Sequence, residues 1–167
     1  MDTDHIENKR SGFRVSFIRS TAVADQGHLQ MMASYAPFSF EPPAHFHPFQ
    51  KEEFKILQGM MNVRMGAKIH QLAKGDMISI PAGQEHSMWN PGKKEAIVDW
   101  KVSPPMQTEK FLREITQIAN GPKVDKNGIP SPIRAIYFFS RFGNTVRLTG
   151  PAAWAVDLLA FLRKIFH

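Results

Sequence analysis

The chain has 167 residues, 43% of them hydrophobic and 22% charged, which is enough for one full core and does not demand a second domain. It holds no cysteine, so disulfides, thiolate metal sites and cysteine nucleophiles are excluded. The net charge of +6 is uneven: residues 1–102 carry 12 Lys+Arg against 11 Asp+Glu, while residues 103–167 carry 9 against 4. The cations are scattered and come with no nucleic-acid-binding motif, so nucleic acid is not an expected partner.

The first residues, MDTDHIENKR, begin acidic and contain no apolar run, so no secretory signal is expected and a cytoplasmic location is the expectation. Residues 1–12 read as an N-terminal arm. From residue 13 the pattern alternates with period 2, as half-buried strands do. Phe13, Val15 and Phe17 form one such set, and Leu29, Met31, Ala33 and Tyr35 the next. The stretch HFHPFQKEEFKILQG at 45–59 then places His45 and His47 two apart, with Glu52 just beyond. On an extended strand, side chains at i and i+2 share a face at roughly 7 Å spacing, within reach of one metal ion. Met61, Val63 and Met65 alternate again, and so do Ala96, Val98, Trp100 and Val102. Turn residues recur between the runs, among them Gly59, Gly66, Gly75, Pro81 and Gly83. Many short strands with regular turns predict an all-β sandwich or barrel over 13–103.

After Ser103-Pro104-Pro105 the period changes to that of a helix. Phe111, Leu112, Ile115, Ile118 and Ala119 fall on one face of a helix over 108–120, stopped by Gly121. Ser131-Pro132 opens a second helix that ends by Gly143, and a third is expected over 151–167 with Trp154, Leu158, Phe161, Leu162 and Ile165 on one face. Residues 104–167 therefore read as a C-terminal helical extension, packed on the barrel or on a second subunit. The last helix is shorter than the ~20 apolar residues of a membrane span. Docking of its apolar face on an anionic membrane surface is the lesser expectation, and a homodimer the greater.

The spacing across the middle of the chain is more specific. One block runs His45-x-His47, four residues, Glu52, six residues, Gly59; after residues 60–74 a second runs Gly75, five residues, Pro81-x-Gly83, two residues, His86, three residues, Asn90. Together these blocks resemble the two signature motifs of the cupin superfamily. A glycine often stands six residues before the first histidine in that family, and here the position is Ser39. The resemblance implies a mainly β fold, a jelly-roll (double-stranded β-helix) barrel, with His45, His47, Glu52 and His86 as ligands of one divalent transition metal per chain.

Three imidazoles and a carboxylate suit Fe, Mn, Ni, Co, Cu or Zn better than Mg or Ca, with Fe or Mn favoured. By strand alternation, Tyr35, Phe54, Met61, Met65, Met88 and Trp100 share the inner face with these ligands and are expected to make soft, apolar walls. Isomerases and epimerases need a positioned acid and base besides the ligands, and Tyr35 is the only other titratable group expected inside. The reading is therefore a dioxygenase-type oxidoreductase for a small, partly apolar molecule, with Glu52 and Tyr35 as catalytic groups. The alternative is a non-catalytic module that binds a small ligand.

Overall fold

The strand alternation read from the sequence becomes two antiparallel sheets. The protein is described here by a computed structural model covering residues 4–20, 27–126 and 128–150. Strands β1 (His5–Asn8), β2 (Phe13–Ser20), β3 (Leu29–Tyr35), β4 (His45–Phe46), β5 (Lys51–Gln58) and β6 (Met60–Met65) come first along the chain. They are followed by β7 (Lys68–Ala73), β8 (Met77–Ile80), β9 (His86–Trp89) and β10 (Ala96–Ser103). Helices α1 (Thr108–Ala119) and α2 (Pro132–Ser140) and a short strand β11 (Arg147–Leu148) complete the described chain. One sheet has the order β1-β2-β3-β10-β5-β8 and the other β11-β4-β9-β6-β7, the two-layer arrangement of a jelly roll.

β10 shows why the sheets face each other. Its residues Ala96, Val98, Trp100 and Val102 are buried while their neighbours are half-exposed, so one side of the strand is core and the other is wet. β5 contributes Glu52, Phe54 and Ile56 to the same interior. The register sets Phe54 opposite Trp100, and their rings stack with centroids 5.6 Å apart. At the end of β5 the chain turns through Gly59, whose φ is +75°. A side chain there would meet the Glu95 carbonyl at 2.7 Å, so only glycine fits.

The helical part is tied to the barrel at both ends. α1 starts where Gln50 Nε2, buried, donates to Thr108 Oγ1 at 2.8 Å and to the Pro104 carbonyl at 2.8 Å. Its far end is held by Asn120 Nδ2 donating to the Glu7 carbonyl at 2.7 Å and Arg10 Nε donating to the Ala119 carbonyl at 3.0 Å. Its apolar face, expected from the sequence, divides its work: Leu112 joins the barrel core, while Phe111 and Ile115 pack with Phe138, Phe142 and Val146 in a second cluster. Leu112, Phe138, Phe142 and Val146 are buried while Phe111 and Ile115 are partly so; full burial of such a side chain stabilises by about 1.5–3 kcal/mol. Pro132 opens α2 as expected. The helix expected over 151–167 lies outside the described residues. Among the described residues no helix is long and apolar enough to cross a membrane.

Candidate metal centre

The three histidines converge because of how two strands pair. His45 on β4 is the direct antiparallel partner of His86 on β9, and opposite residues in such a pair stand ~5 Å apart at Cβ. Their ring centroids are 4.5 Å apart. His47 follows the end of β4 and brings its ring to 5.3 Å from His45 and 5.6 Å from His86. One nitrogen from each imidazole falls within 4.8 Å of the other two, a group of a kind that can hold a metal ion. Glu52 reaches the group from β5 in the opposite sheet. Its Oε2 lies 2.9 Å from His86 Nε2 and 3.3 Å from His47 Nε2.

Backbone carbonyls set the direction of each ring. Nδ1 of His45 faces the Pro43 carbonyl at 3.2 Å, Nδ1 of His86 the Gln84 carbonyl at 3.0 Å, and Nδ1 of His47 the Thr145 carbonyl at 2.6 Å. A carbonyl only accepts, so Nδ1 carries the proton in all three rings and Nε2 is left as a lone pair. This is the outer support expected around metal-binding imidazoles. Glu52 is fixed in a similar way, its Oε1 accepting from Trp100 Nε1 at 3.0 Å.

What remains is a set of lone pairs facing one another. His47 Nε2 and Glu52 Oε2 are buried and lack a hydrogen-bond partner among the described residues. Lone pairs at 2.9–3.3 Å repel unless a cation lies between them. Such separations match adjacent donors on a metal with bonds of about 2.1 Å. The residues present therefore fit a bound transition metal on three imidazoles, with Glu52 adjacent.

Electrostatics point the same way. Burial alone would raise the Glu52 carboxyl, but His47, His86 and His45 outweigh it and hold the group below its ordinary value. Burial lowers His86, yet its bond to Glu52 leaves it above the ordinary value, so without a metal this ring takes a proton at Nε2, in the place a metal cation would fill. Desolvation, followed by its two imidazole neighbours, pushes His45 down to about 3, so this ring stays a neutral donor. Burial, then the Glu52 charge, pushes the Tyr35 phenol up. Tyr35 thus keeps its proton, and its hydroxyl sits 3.7 Å from Met88 Sδ.

The cluster opens into a cavity of about 400 Å³ that Tyr35, Phe54, Met88 and Trp100 help to line. Met61 and Met65, expected on the same wall, are not on it. Both lie on β6, which is one strand beyond β9 from β4; Met61 is fully buried in the barrel core, with Met65 packed against it. Part of the wall comes from the helical extension, through Phe111, Ile115 and Phe139. The sequence showed an apolar helix face there but not what the face covers. Asn90 lies outside the cavity and closes a turn, its Nδ2 donating to the Tyr35, Ala36 and Lys94 carbonyls. Ser39, which stands where a glycine is common, accepts from the Asn90 amide at 2.8 Å.

Residues 31–100 match the model of the cupin domain family. Among curated proteins, "Probable oxidoreductase virH" of Hypocrea virens is 35% identical over 82 residues, 44% of this chain and 37% of the relative. "Oxidoreductase iacF" of Pestalotiopsis fici is 29% identical over 105 residues, 59% of this chain and 52% of the relative. The chain thus spans between a quarter and about half of the length of the curated relatives it matches. Among solved structures, an RmlC-like cupin from Shewanella frigidimarina superposes with a TM-score of 0.54 at 18% identity, over 65% of this chain and 89% of that one, a likeness of fold. Two facing antiparallel sheets, the paired histidine strands at their centre and the match over 31–100 identify a cupin domain within this chain.

Proposed function

We propose that the protein is a mononuclear metal-dependent oxidoreductase of dioxygenase type, acting on a small, partly apolar molecule. The observation that carries this reading is the set of carbonyl-oriented imidazoles, with lone pairs and the Glu52 carboxylate turned to one point at the end of an apolar cavity. The oxidoreductase names of partial relatives support it. His45, His47 and His86 hold the metal, with Glu52 Oε2 as fourth donor; Fe or Mn is favoured for its redox range. When bound, such a metal supplies the one-electron chemistry that dioxygen requires and a Lewis acid for the substrate's oxygen donors.

The chain's own groups do the rest. Trp100 holds Glu52 Oε1 and so orients the carboxylate, which takes a proton from an incoming substrate hydroxyl. Tyr35 keeps its phenolic proton and donates a hydrogen bond to a substrate oxygen. The apolar walls exclude water and so strengthen every charge interaction at the cluster.

Oxygen consumption by iron(II)-loaded and zinc-loaded protein, with small phenols and diketones, tests the reading. Consumption with iron and none with zinc is expected. Calorimetric binding of these compounds, with no consumption under either metal, would instead assign the protein to non-catalytic ligand binding.

A further inference from the structure

The cavity lining is one-sided in charge. Among the described residues that line it, only Glu52, the three histidines and Tyr35 are ionisable; no lysine, arginine or aspartate is among them. This holds although the described chain is rich in cations outside the cavity, where Arg113, Arg141 and Arg64 pair with Asp4, Glu114 and Glu41. Away from the proposed metal, an anionic group on the ligand would meet no countercharge among these lining residues, and burying an unpaired charge is costly. Besides the imidazoles, the lining includes Phe111, Ile115 and Phe139, with Ile129 and Ala135, all from the helical extension. The volume, about 400 Å³, lies in the ~300–1,000 Å³ range of small-molecule sites.

The geometry points to a substrate class: a molecule with an uncharged, extended or aromatic apolar body and an oxygen-donor head, the body lying against the helical extension and the head at the imidazole cluster. A ligand with anionic groups on the body as well as at the head does not suit this lining. This assignment rests on the proposed reading of the cluster as the reacting end, and it makes α1 and α2 the elements that set specificity.

Two dyes that differ by one sulfonate test it on metal-free, full-length protein: N-phenyl-1-naphthylamine and 8-anilinonaphthalene-1-sulfonate, followed by fluorescence. The neutral dye should bind one to one, with a blue shift. Ile129→Lys, at a half-exposed loop position on the cavity wall, should move the affinity ratio by about tenfold or more towards the sulfonate. Ala135→Lys, on α2, should do the same and serves if the first variant folds poorly. Sulfonate bound to the basic exterior is unmoved by either change, so the shift between parent and variant is what is read. No binding of the neutral dye, or an unchanged ratio in a folded variant, would overturn the assignment. Zinc titration of the same proteins tests the metal reading separately: a parent that binds the neutral dye but no zinc would break the proposed function and not the apolar chamber.

Discussion

The Thr145 carbonyl accepts a hydrogen bond from His47 Nδ1 at 2.6 Å, across 98 positions of sequence. The contact joins the helical extension to the metal cluster, and it is not isolated. β11 pairs with β4, setting Arg147 opposite Phe46 and Leu148 opposite His45, while the Thr149 amide donates to the Ala44 carbonyl at 3.1 Å. The segment after α2 therefore straps β4, which carries His45, and the His47 just beyond its end. Thr145 is held in its turn by its amide donating to the Phe142 carbonyl at 2.7 Å, and Phe142 is buried in the helical cluster.

Loosening that strap should weaken metal binding from a distance. Phe142→Ala removes the anchor of the turn and should lower zinc affinity about tenfold or more, as loss of an imidazole's outer partner does. Phe142→Leu, which keeps most of the volume, should recover much of that loss. Competition titration against a zinc indicator reads both variants, with circular dichroism to show that the sheets persist.

Glu52→Gln should move two quantities in opposite directions. The amide keeps an oxygen for Trp100 Nε1 and turns an N–H towards Nε2 of His47 and of a then neutral His86, so the buried nitrogens keep a partner in the metal-free protein. Its unfolding midpoint should hold or rise, while zinc affinity drops because an anionic donor is lost. A parallel fall in both would show that Glu52 serves the fold and not the metal.

Trp100→Phe deletes the donor to Glu52 Oε1 and leaves a buried carboxylate oxygen without a partner. The cost should be about 1–3 kcal/mol in stability, together with weaker metal binding. Denaturant titration and the zinc competition assay measure the two effects on the same sample.

Gly59→Ala should destabilise the barrel without touching the centre. The position has φ +75° and a Cβ would fall 2.7 Å from the Glu95 carbonyl, so backbone strain and a clash add together. A loss of roughly 1 kcal/mol or more is expected, lowering Tm by about 2–4 °C or more for a chain of this size. Zinc affinity at 25 °C should stay at the parent value.

Much of this was legible in the sequence, for identifiable reasons. Alternation such as Ala96, Val98, Trp100, Val102 maps directly onto a strand with one buried face. The spacing of His45 and His47, with His86 at the start of a later strand, marks the convergence that pairing of β4 with β9 produces. Period alone did not separate Met61 and Met65 from Met88, because it gives the face of a residue and not its strand's place in the sheet. The Thr145 carbonyl left no trace at all, since any residue offers one. Phe111 and Ile115 were readable as an apolar helix face, but sequence does not say whether such a face covers a core or a cavity.

The central claim is that His45, His47, His86 and Glu52 hold one transition metal. Elemental analysis of untagged protein purified without chelator tests it most directly, alongside His47→Ala and His86→Ala. Near-stoichiometric iron or manganese in the parent, lost from both folded variants, is the predicted result. A folded parent that carries no transition metal and takes none up, or variants that keep it in full, would contradict the account.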